Sequence, residues 1–212
     1  MIRSACLVGL AFVCWALAAD VPTAQSAASS QPTDLDALMK KTVLVFGLIS
    51  GFISIGLMLF TLLFVDKLTF DNGLIWGYTA LVLSSLVTFF GVRSYRDNVG
   101  DGRLGFGRGL VVGLLITLVS CVCYVAVWEI VYFKVMPDFG EKYAAHMVER
   151  VRASGATPER LERARRDAAD FKTMYDKPWN NAALTFLEPL PVGVAISLIS
   201  AAVLRRKPKT AA

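Results

Sequence analysis

The chain has 212 residues, of which 55% are hydrophobic and only 18% are charged, and its formal net charge is +5. An average soluble domain has about 25% charged residues. Because the apolar residues here are gathered into four long runs, the composition excludes an ordinary soluble domain. The lysines and arginines lie largely beside these runs or in one mixed-charge segment, without a nucleic-acid motif, so we expect no nucleic-acid partner.

The N-terminal segment resembles a secretion signal. Arg3 precedes an apolar stretch, and Ala16 and Ala18 form an A-x-A cleavage pattern, so residues 1–19 have the design of a signal peptide. Residues 20–38 are rich in Ala, Ser, Gln, Pro and Asp, and we expect them to be unstructured. Two interpretations stay open: the signal is cleaved, or translation starts at Met39 and residues 1–38 are a mis-assigned extension.

Four apolar runs are each long enough to cross a bilayer, which takes roughly 20 residues. They cover approximately 42–65, 74–92, 110–133 and 184–204. We therefore predict an all-α, polytopic membrane protein with four transmembrane helices in a domain over 39–208. Small residues let helices approach closely in lipid, and we expect helix packing at Gly47, Gly51, Gly73, Gly77, Gly109, Gly113 and Gly193. This pattern does not tell whether the packing lies within one chain or between copies.

Basic clusters beside the runs predict the orientation, because cytoplasmic loops carry an excess of Lys and Arg. The basic residues that we expect on the cytosolic side, near lipid head groups, are Lys40, Lys41, Arg93, Arg96, Arg103, Arg108, Arg205, Arg206 and Lys207. Both ends of the four-span core are then cytosolic and residues 137–182 are periplasmic. The nine basic residues of 137–182 oppose this orientation, and eight acidic residues accompany them.

The segment 137–182 between the third and fourth runs predicts an extramembrane helical hairpin. Its first apolar stripe recurs every four residues from Phe139 to Val151, and its second runs from Leu161 to Tyr175. Ser154 and Gly155 separate the stripes, and Thr157 followed by Pro158 is typical of a helix start. We expect the two apolar faces to pack on each other or on the membrane surface, with partner binding or substrate gating as the alternative role.

Two acidic residues lie in or at the edge of the spans, Glu129 and Glu188. An ionisable group in hydrocarbon usually faces a partner, water or a transport pathway. Because Lys134 follows Glu129 by about one helical turn, the three residues form a candidate intramembrane ionisable site for protons or cations. The alternative is a partly hydrated interfacial pair, or Glu188 capping its helix.

No other pattern predicts chemistry. His146 is the only histidine, and the four cysteines (Cys6, Cys14, Cys121 and Cys123) form no CxxC pair, so we expect no metal site. The glycines of residues 100–109 do not match a phosphate-binding loop. We expect no cofactor and no catalytic residues, and therefore no enzyme.

Four segments carry a family resemblance: "MKKTVLVFGLISG", "GLIWGYTALVLSS", "FGVRSYRDNVGDGRLGFGRG" and "FLEPLPVGVAISLISAAVLRRK". Over about residues 39–208 the chain resembles a family of bacterial multi-pass membrane proteins, domain of unknown function 4199. The resemblance implies an integral protein of the bacterial inner membrane and supplies no catalytic residues. We expect a structural, assembly or interaction subunit whose partners are the lipid bilayer and a second copy or another membrane protein. The alternative is a small oligomeric proton or ion transporter that uses the intramembrane carboxylates.

Overall fold

The computed structural model describes the backbone of residues 32–63 and 70–205, and the side chains of residues 35–62 and 75–205. Seven α-helices occur in this part of the chain, with one π-helical turn at Val131–Val135. The helices are α1 Pro32–Leu63, α2 Phe70–Asn98, α3 Phe106–Ile130, α4 Phe139–Ala153, α5 Pro158–Tyr175, α6 Pro178–Leu187 and α7 Leu190–Leu204. The chain divides into two compact units, which we call the bundle (up to Tyr124, and from Pro189 onward) and the hairpin unit (Val125–Glu188).

Four helical stretches are long and apolar enough to cross a membrane: Leu35–Leu62, Ile75–Asn98, Phe106–Val135 and Pro178–Leu204. The all-α, four-span fold expected from the sequence is confirmed, and the protein is a multi-pass membrane protein. The fourth span begins at Pro178 rather than at 184, so the hairpin is shorter than the expected 137–182. The start at Pro178 was not recognised in the sequence because the polar residues Asn180 and Asn181 lower the apolar content of the first turn of α6.

The start of the first helix corrects one expectation. Residues 20–38 were expected to be unstructured, yet α1 begins at Pro32 and therefore includes 32–38. Proline is tolerated in the first turn of a helix, where its missing N–H has no partner to lose, and an acidic residue such as Asp36 is favourable near a helix N-terminus. The signal-like residues 1–19 lie outside the described part of the chain.

Close helix contacts in the bundle occur at five of the expected glycines. A Cβ atom added at Gly47 would lie 2.6 Å from the Cβ of Val119, and one at Gly51 would lie 2.8 Å from the Cβ of Cys123, so α1 packs tightly on α3. Added Cβ atoms at Gly113 and Gly193 would press on Ser197 and Thr117, and one at Gly109 would lie 3.4 Å from Ala201 Cα, which places α7 against α3.

The other two expected glycines show no such contact among the described residues, and one glycine that was not expected does. Gly77 faces open space, with no described atom within 4 Å of an added Cβ, so it makes no close helix contact within this chain. Gly73 lies outside the described side chains. Gly91 was not anticipated, yet an added Cβ there would lie 2.6 Å from Ile116 Cδ1 and 2.9 Å from Phe46 Cβ. Spacing alone identifies small faces but does not show which face another helix covers.

One end of the bundle holds its apolar core. The start of α1, the end of α2, the start of α3 and the end of α7 meet there, and the buried members are Val43, Val92, Tyr95, Val99, Leu104, Val112, Ile116 and Leu204. Lys40 and Lys41 follow this end of α1, and Arg108 and Arg205 lie at the corresponding ends of α3 and α7, all exposed. The basic clusters that were used to predict orientation therefore share one end of the bundle.

The remaining basic residues belong to the turn between α2 and α3. Arg93 and Arg96 pair with Asp97, at 3.6 Å and 2.6 Å. Arg103 is exposed in a turn where Asp101 and Gly102 adopt positive φ angles of 49° and 73°. Arg206 and Lys207 lie outside the described residues.

The hairpin unit contains two antiparallel helices of the predicted kind. Thr157 is the N-cap of α5, where its side chain accepts a hydrogen bond from the Arg160 amide, and Pro158 is the first helical residue. Gly155, with φ of 72°, makes the turn after Ser154. The second stripe faces inward at Ala168, which is buried, and Phe171 contacts Tyr143 on α4. The two apolar faces therefore pack on each other, as one of the sequence interpretations expected.

Candidate functional site

The candidate site in the hairpin unit is built where α3 ends. Glu129 is the penultimate residue of α3, immediately before the π-helical turn Val131–Val135. Single π-helical turns are frequent at functional sites because they re-aim the side chains around them. The Oε1 atom of Glu129 is buried, and it is the one such side-chain atom without a hydrogen-bond partner among the residues the structure describes. A buried, unpartnered carboxylate oxygen is unfavourable, so Glu129 stays a candidate site residue.

Glu188 lies between the two helices of the fourth span. It follows Leu187, the last residue of α6, and precedes Pro189, the N-cap of α7, where no side chain makes a capping hydrogen bond. The capping role considered for Glu188 is therefore wrong. Proline has no N–H, so Pro189 interrupts the backbone hydrogen bonds and separates the span into two helices. Glu188 is exposed at this junction.

Tyr175 lies within electrostatic range of both glutamates. Burial raises the pKa of its phenol above the usual value, and the nearby carboxylates of Glu188 and Glu129 raise that pKa further, against the hydrogen bond that Trp128 donates. Both carboxyl groups therefore act on one phenol. Lys134 does not join them: it is exposed, and no ion pair connects it to either glutamate within the described residues. The three-residue site expected from the sequence is reduced to two acids around Tyr175.

A directional chain of hydrogen bonds leads from Tyr175 into α6. The Trp128 indole N–H donates to the Tyr175 hydroxyl at 3.1 Å, and that hydroxyl lies 3.1 Å from Thr185 Oγ1. Thr185 donates to the Asn181 side-chain oxygen at 3.3 Å, and the Asn181 amide donates to the Tyr175 carbonyl at 3.2 Å. Since Thr185 uses its proton on Asn181, Tyr175 donates to Thr185. The side chains of Asn181 and Thr185 both have partners in this buried chain, whereas Glu129 Oε1 has none.

A second polar link joins the π-helical turn to the end of α5. The Tyr132 hydroxyl donates to Asp176 Oδ1 at 2.6 Å, and Lys172 Nζ lies 2.7 Å from Asp176 Oδ2. The hydrogen bond from Lys172, followed by that from Tyr132, lowers the pKa of Asp176 below its usual value, and the same carboxylate raises the pKa of Lys172. This link was not anticipated from the sequence, since its partners Tyr132 and Asp176 are 44 residues apart.

Aromatic rings enclose the two polar links. Tyr132 and Tyr175 meet edge to face with ring centroids 5.2 Å apart, and Trp128 meets Phe139 in the same way at 5.3 Å. Phe171 stacks on Tyr175 at 5.3 Å. Edge-to-face and offset ring pairs each add about 0.5–1.5 kcal/mol beyond area burial. The site is therefore a preorganised part of the hairpin unit rather than a loose surface cluster.

The other residues considered from the sequence take no part in this cluster. Within the described residues, no three His, Cys, Asp or Glu side chains come close enough to hold a metal ion. His146 lies on α4, and Cys121 and Cys123 are free thiols on α3 in the bundle. Cys6 and Cys14 lie outside the described residues.

One comparison with known proteins found a match. The family model described as "Protein of unknown function (DUF4199)" matches residues 45–206. The searches of curated proteins and of solved structures returned no match.

Proposed function

The chain belongs to the DUF4199 family, and from its geometry we propose that it is an assembly or interaction subunit of the bacterial inner membrane, without catalysis of its own. The hairpin unit is its partner-binding element. This unit has its own core, formed by the aromatic rings and the two polar links, so it presents its outer face without depending on a partner for folding.

The outer face of α5 carries the proposal. Arg160, Arg163 and Arg166 are exposed, and none of them forms an ion pair with another described residue. At 100° per residue, Arg163 and Arg166 lie away from the packed stripe that contains Ala168 and Phe171, whereas Arg160 lies near that stripe, at the exposed start of the helix. Arg165, by contrast, pairs within the helix with Glu162 at 3.3 Å. Three arginines without an ion-pair partner among the described residues favour binding to an acidic surface. That surface belongs to another membrane protein or to a second copy of this chain.

Crosslinking in intact membranes tests this proposal. A photoreactive amino acid at Arg163 should give a protein adduct, and mass spectrometry then shows whether the partner is a second copy. The Arg160→Glu/Arg166→Glu double variant should abolish the adduct by like-charge repulsion. The matched control is the same probe at Arg152 on α4, which is paired with Glu149 at 3.0 Å. Recovery of uncrosslinked monomer alone, or of lipid adducts alone, would contradict the proposal.

The orientation of the protein is part of the proposal. The cytosolic end is the one that carries Lys40, Lys41, Arg108 and Arg205, and the hairpin is periplasmic. Support comes from the shared position of these basic residues at one end of the bundle, because Lys and Arg are retained on the cytoplasmic side.

A second candidate function is favoured by the unpartnered oxygen of Glu129. An oligomer that moves protons or small cations past Glu129 and Glu188 would use a carboxylate that the fold leaves without a hydrogen bond. Purified protein in vesicles with an imposed pH gradient should then show a flux that Glu129→Gln removes. Glu162→Gln, on the outer part of the hairpin, is the control. Flux that is unchanged in Glu129→Gln and Glu188→Gln would rule this mechanism out.

A further inference from the structure

The bundle contains a hydroxyl-lined cavity, apart from the site of the hairpin unit. Serines and threonines of α1, α2 and α3 line a cavity of ≈ 10 Å³, among them Ser50, Ser54, Ser84, Ser85, Thr88 and Ser120. A cavity of this size has room for about one water molecule. A hydroxyl that the fold leaves unpaired is unfavourable here, because hydrocarbon offers no hydrogen-bond partner to a polar group.

Two of these hydroxyls have lost their usual partner. A serine or threonine within a helix ordinarily donates to the carbonyl four residues earlier. For Thr88 that acceptor is the Ser84 carbonyl, which already receives Ser50 Oγ at 3.0 Å. For Ser85 it is the Leu81 carbonyl, which already receives Ser84 Oγ at 3.0 Å. Each of these carbonyls lies within α2, where it also serves the helix, so neither has a lone pair to spare.

Both hydroxyls are buried. Thr88 is 1% exposed and Ser85 is 9% exposed, and neither hydroxyl has a hydrogen-bond partner in the described part of the chain. Both residues line the cavity, so their oxygen atoms are not enclosed as completely as Glu129 Oε1. A buried hydroxyl without a partner costs roughly 1–3 kcal/mol, which a water with two to four polar neighbours removes. Ser54 can accept a hydrogen bond from the water. Its Oγ donates to the Ser50 carbonyl at 3.0 Å and keeps its lone pairs as acceptors.

The chemistry of the lining selects a neutral ligand. Among the residues that the structure describes, no Asp, Glu, Lys or Arg lines the cavity. A metal cation there would have no counter-charge, and an uncompensated charge inside a membrane is costly. We propose that this cavity is a binding site for a water molecule within the membrane-spanning bundle, which accepts from Thr88 and Ser85 and donates to Ser54.

A second pocket adjoins the cavity. This pocket of ≈ 90 Å³ shares Ser54 and Tyr124 with the cavity and continues toward Leu62 and Gly77. On the other side, Val92 and Ile116 are both fully buried in the apolar core. The water site therefore adjoins a larger pocket that extends along α1 and α2, away from the end with the basic clusters.

Water-edited solid-state NMR of the full chain in lipid vesicles tests the proposal. Thr88 and Val92 are one turn apart on α2 and equally buried, so they are a matched pair. With carbon-13 in threonine and valine, Thr88 should gain polarisation from water several-fold faster than Val92. Thr88→Ser identifies the Thr88 signal and keeps the hydroxyl. Equal, slow transfer to Thr88 and Val92 would overturn the proposal without the need for a destabilising variant.

A second measurement concerns the donors. The Ser85→Ala/Thr88→Val variant removes both unpartnered hydroxyls while it preserves side-chain volume closely. In a serine-labelled sample, water transfer to Ser54 should fall severalfold in this variant and stay unchanged in Thr88→Ser. Transfer to Ser54 that survives the double substitution would contradict the assigned hydrogen bonds.

Discussion

Asp176 shows how a single side chain holds the site together. Its carboxylate joins the π-helical turn, through Tyr132, to the last turn of α5, through Lys172. The two partners stabilise the ionised form, so the pKa of Asp176 lies below its usual value. The pH at which this stabilisation is lost therefore reports on the link directly.

We predict that the hairpin unit loses this stabilisation in acid. A carboxyl whose pKa is lowered by folding stabilises the fold above its unfolded pKa, about 3.9, and ceases to do so as the pH falls through the folded value. Hydrogen bonds to charged groups are worth about 1.5–3 kcal/mol, but this carboxylate side chain is 42% exposed. We therefore expect Asp176→Asn to lower stability by only about 1 kcal/mol at pH 7.

Thermal unfolding followed by tryptophan fluorescence measures this effect. The difference between the parent and Asp176→Asn should be full at pH 7 and disappear as the pH falls through the lowered pKa of Asp176, since the parent carboxyl is then protonated as well. Tyr132→Phe is the companion variant, and it should reproduce part of the loss at pH 7. A difference that is the same at pH 7 and pH 3 would show that the charge of Asp176 is not involved.

At the residue scale, sequence reasoning identified the intramembrane acids but not their surroundings. Glu129 stands out in "VAVWEIVYF" because a charge in an apolar run is rare. Its neighbour Tyr175 comes from a later helix, and no local spacing connects that residue to α3. Lys134 was chosen because it is one turn away, yet it is exposed and forms no ion pair with Glu129 among the described residues.

At the element scale, small residues determine how closely the helices pack. Gly47 and Gly56 are on the same helix, α1, but an added Cβ meets Val119 at Gly47 and meets nothing within 4 Å at Gly56. Overpacking of a tight contact typically costs 1–3 kcal/mol, whereas glycine to alanine in an uncrowded helix is favourable by about 1 kcal/mol.

We predict that Gly47→Ala destabilises the bundle by about 1–3 kcal/mol and that Gly56→Ala does not. Unfolding of the purified protein in mixed micelles by increasing detergent denaturant gives both values. Val119→Ala, combined with Gly47→Ala, should recover part of the loss, because it removes the side chain that the new methyl group meets. Equal stabilities for the two single variants would contradict the α1–α3 contact.

The elements that local patterns predict best are those of the hairpin. Thr157, Pro158 and the four-residue stripes give α4, α5 and the turn at Gly155, since each signal acts within a few residues. The start of α6 was not predicted because Asn181 is polar and still fully buried. Its burial depends on hydrogen bonds with Tyr175 and Thr185, which come from the tertiary structure. The spacing at Gly77 equals that at Gly47, and only the tertiary structure distinguishes the open face from the packed one.

At the scale of the whole molecule, the number of spans and the all-α class follow from hydropathy alone, because the bilayer thickness sets a minimum length for every span. The division of the fourth span at Glu188–Pro189 and the division of the chain into two units do not follow, since they depend on which residues meet. Hydropathy does not determine the orientation of the spans in the membrane, which is predicted from the distribution of Lys and Arg. The fold adds that the basic residues of four separate segments share one end of the bundle.

The orientation of the spans is the central claim, since it decides whether the arginines of α5 and the carboxylates of the hairpin unit face the periplasm. Single cysteines at Ser154, in the exposed turn between α4 and α5, and at Thr210 measure it, with Cys6, Cys14, Cys121 and Cys123 replaced. In whole cells, a membrane-impermeant thiol reagent should label the Ser154 variant, and the Thr210 variant only after permeabilisation. Labelling at Thr210 but not at Ser154 would contradict the account and place the hairpin in the cytosol.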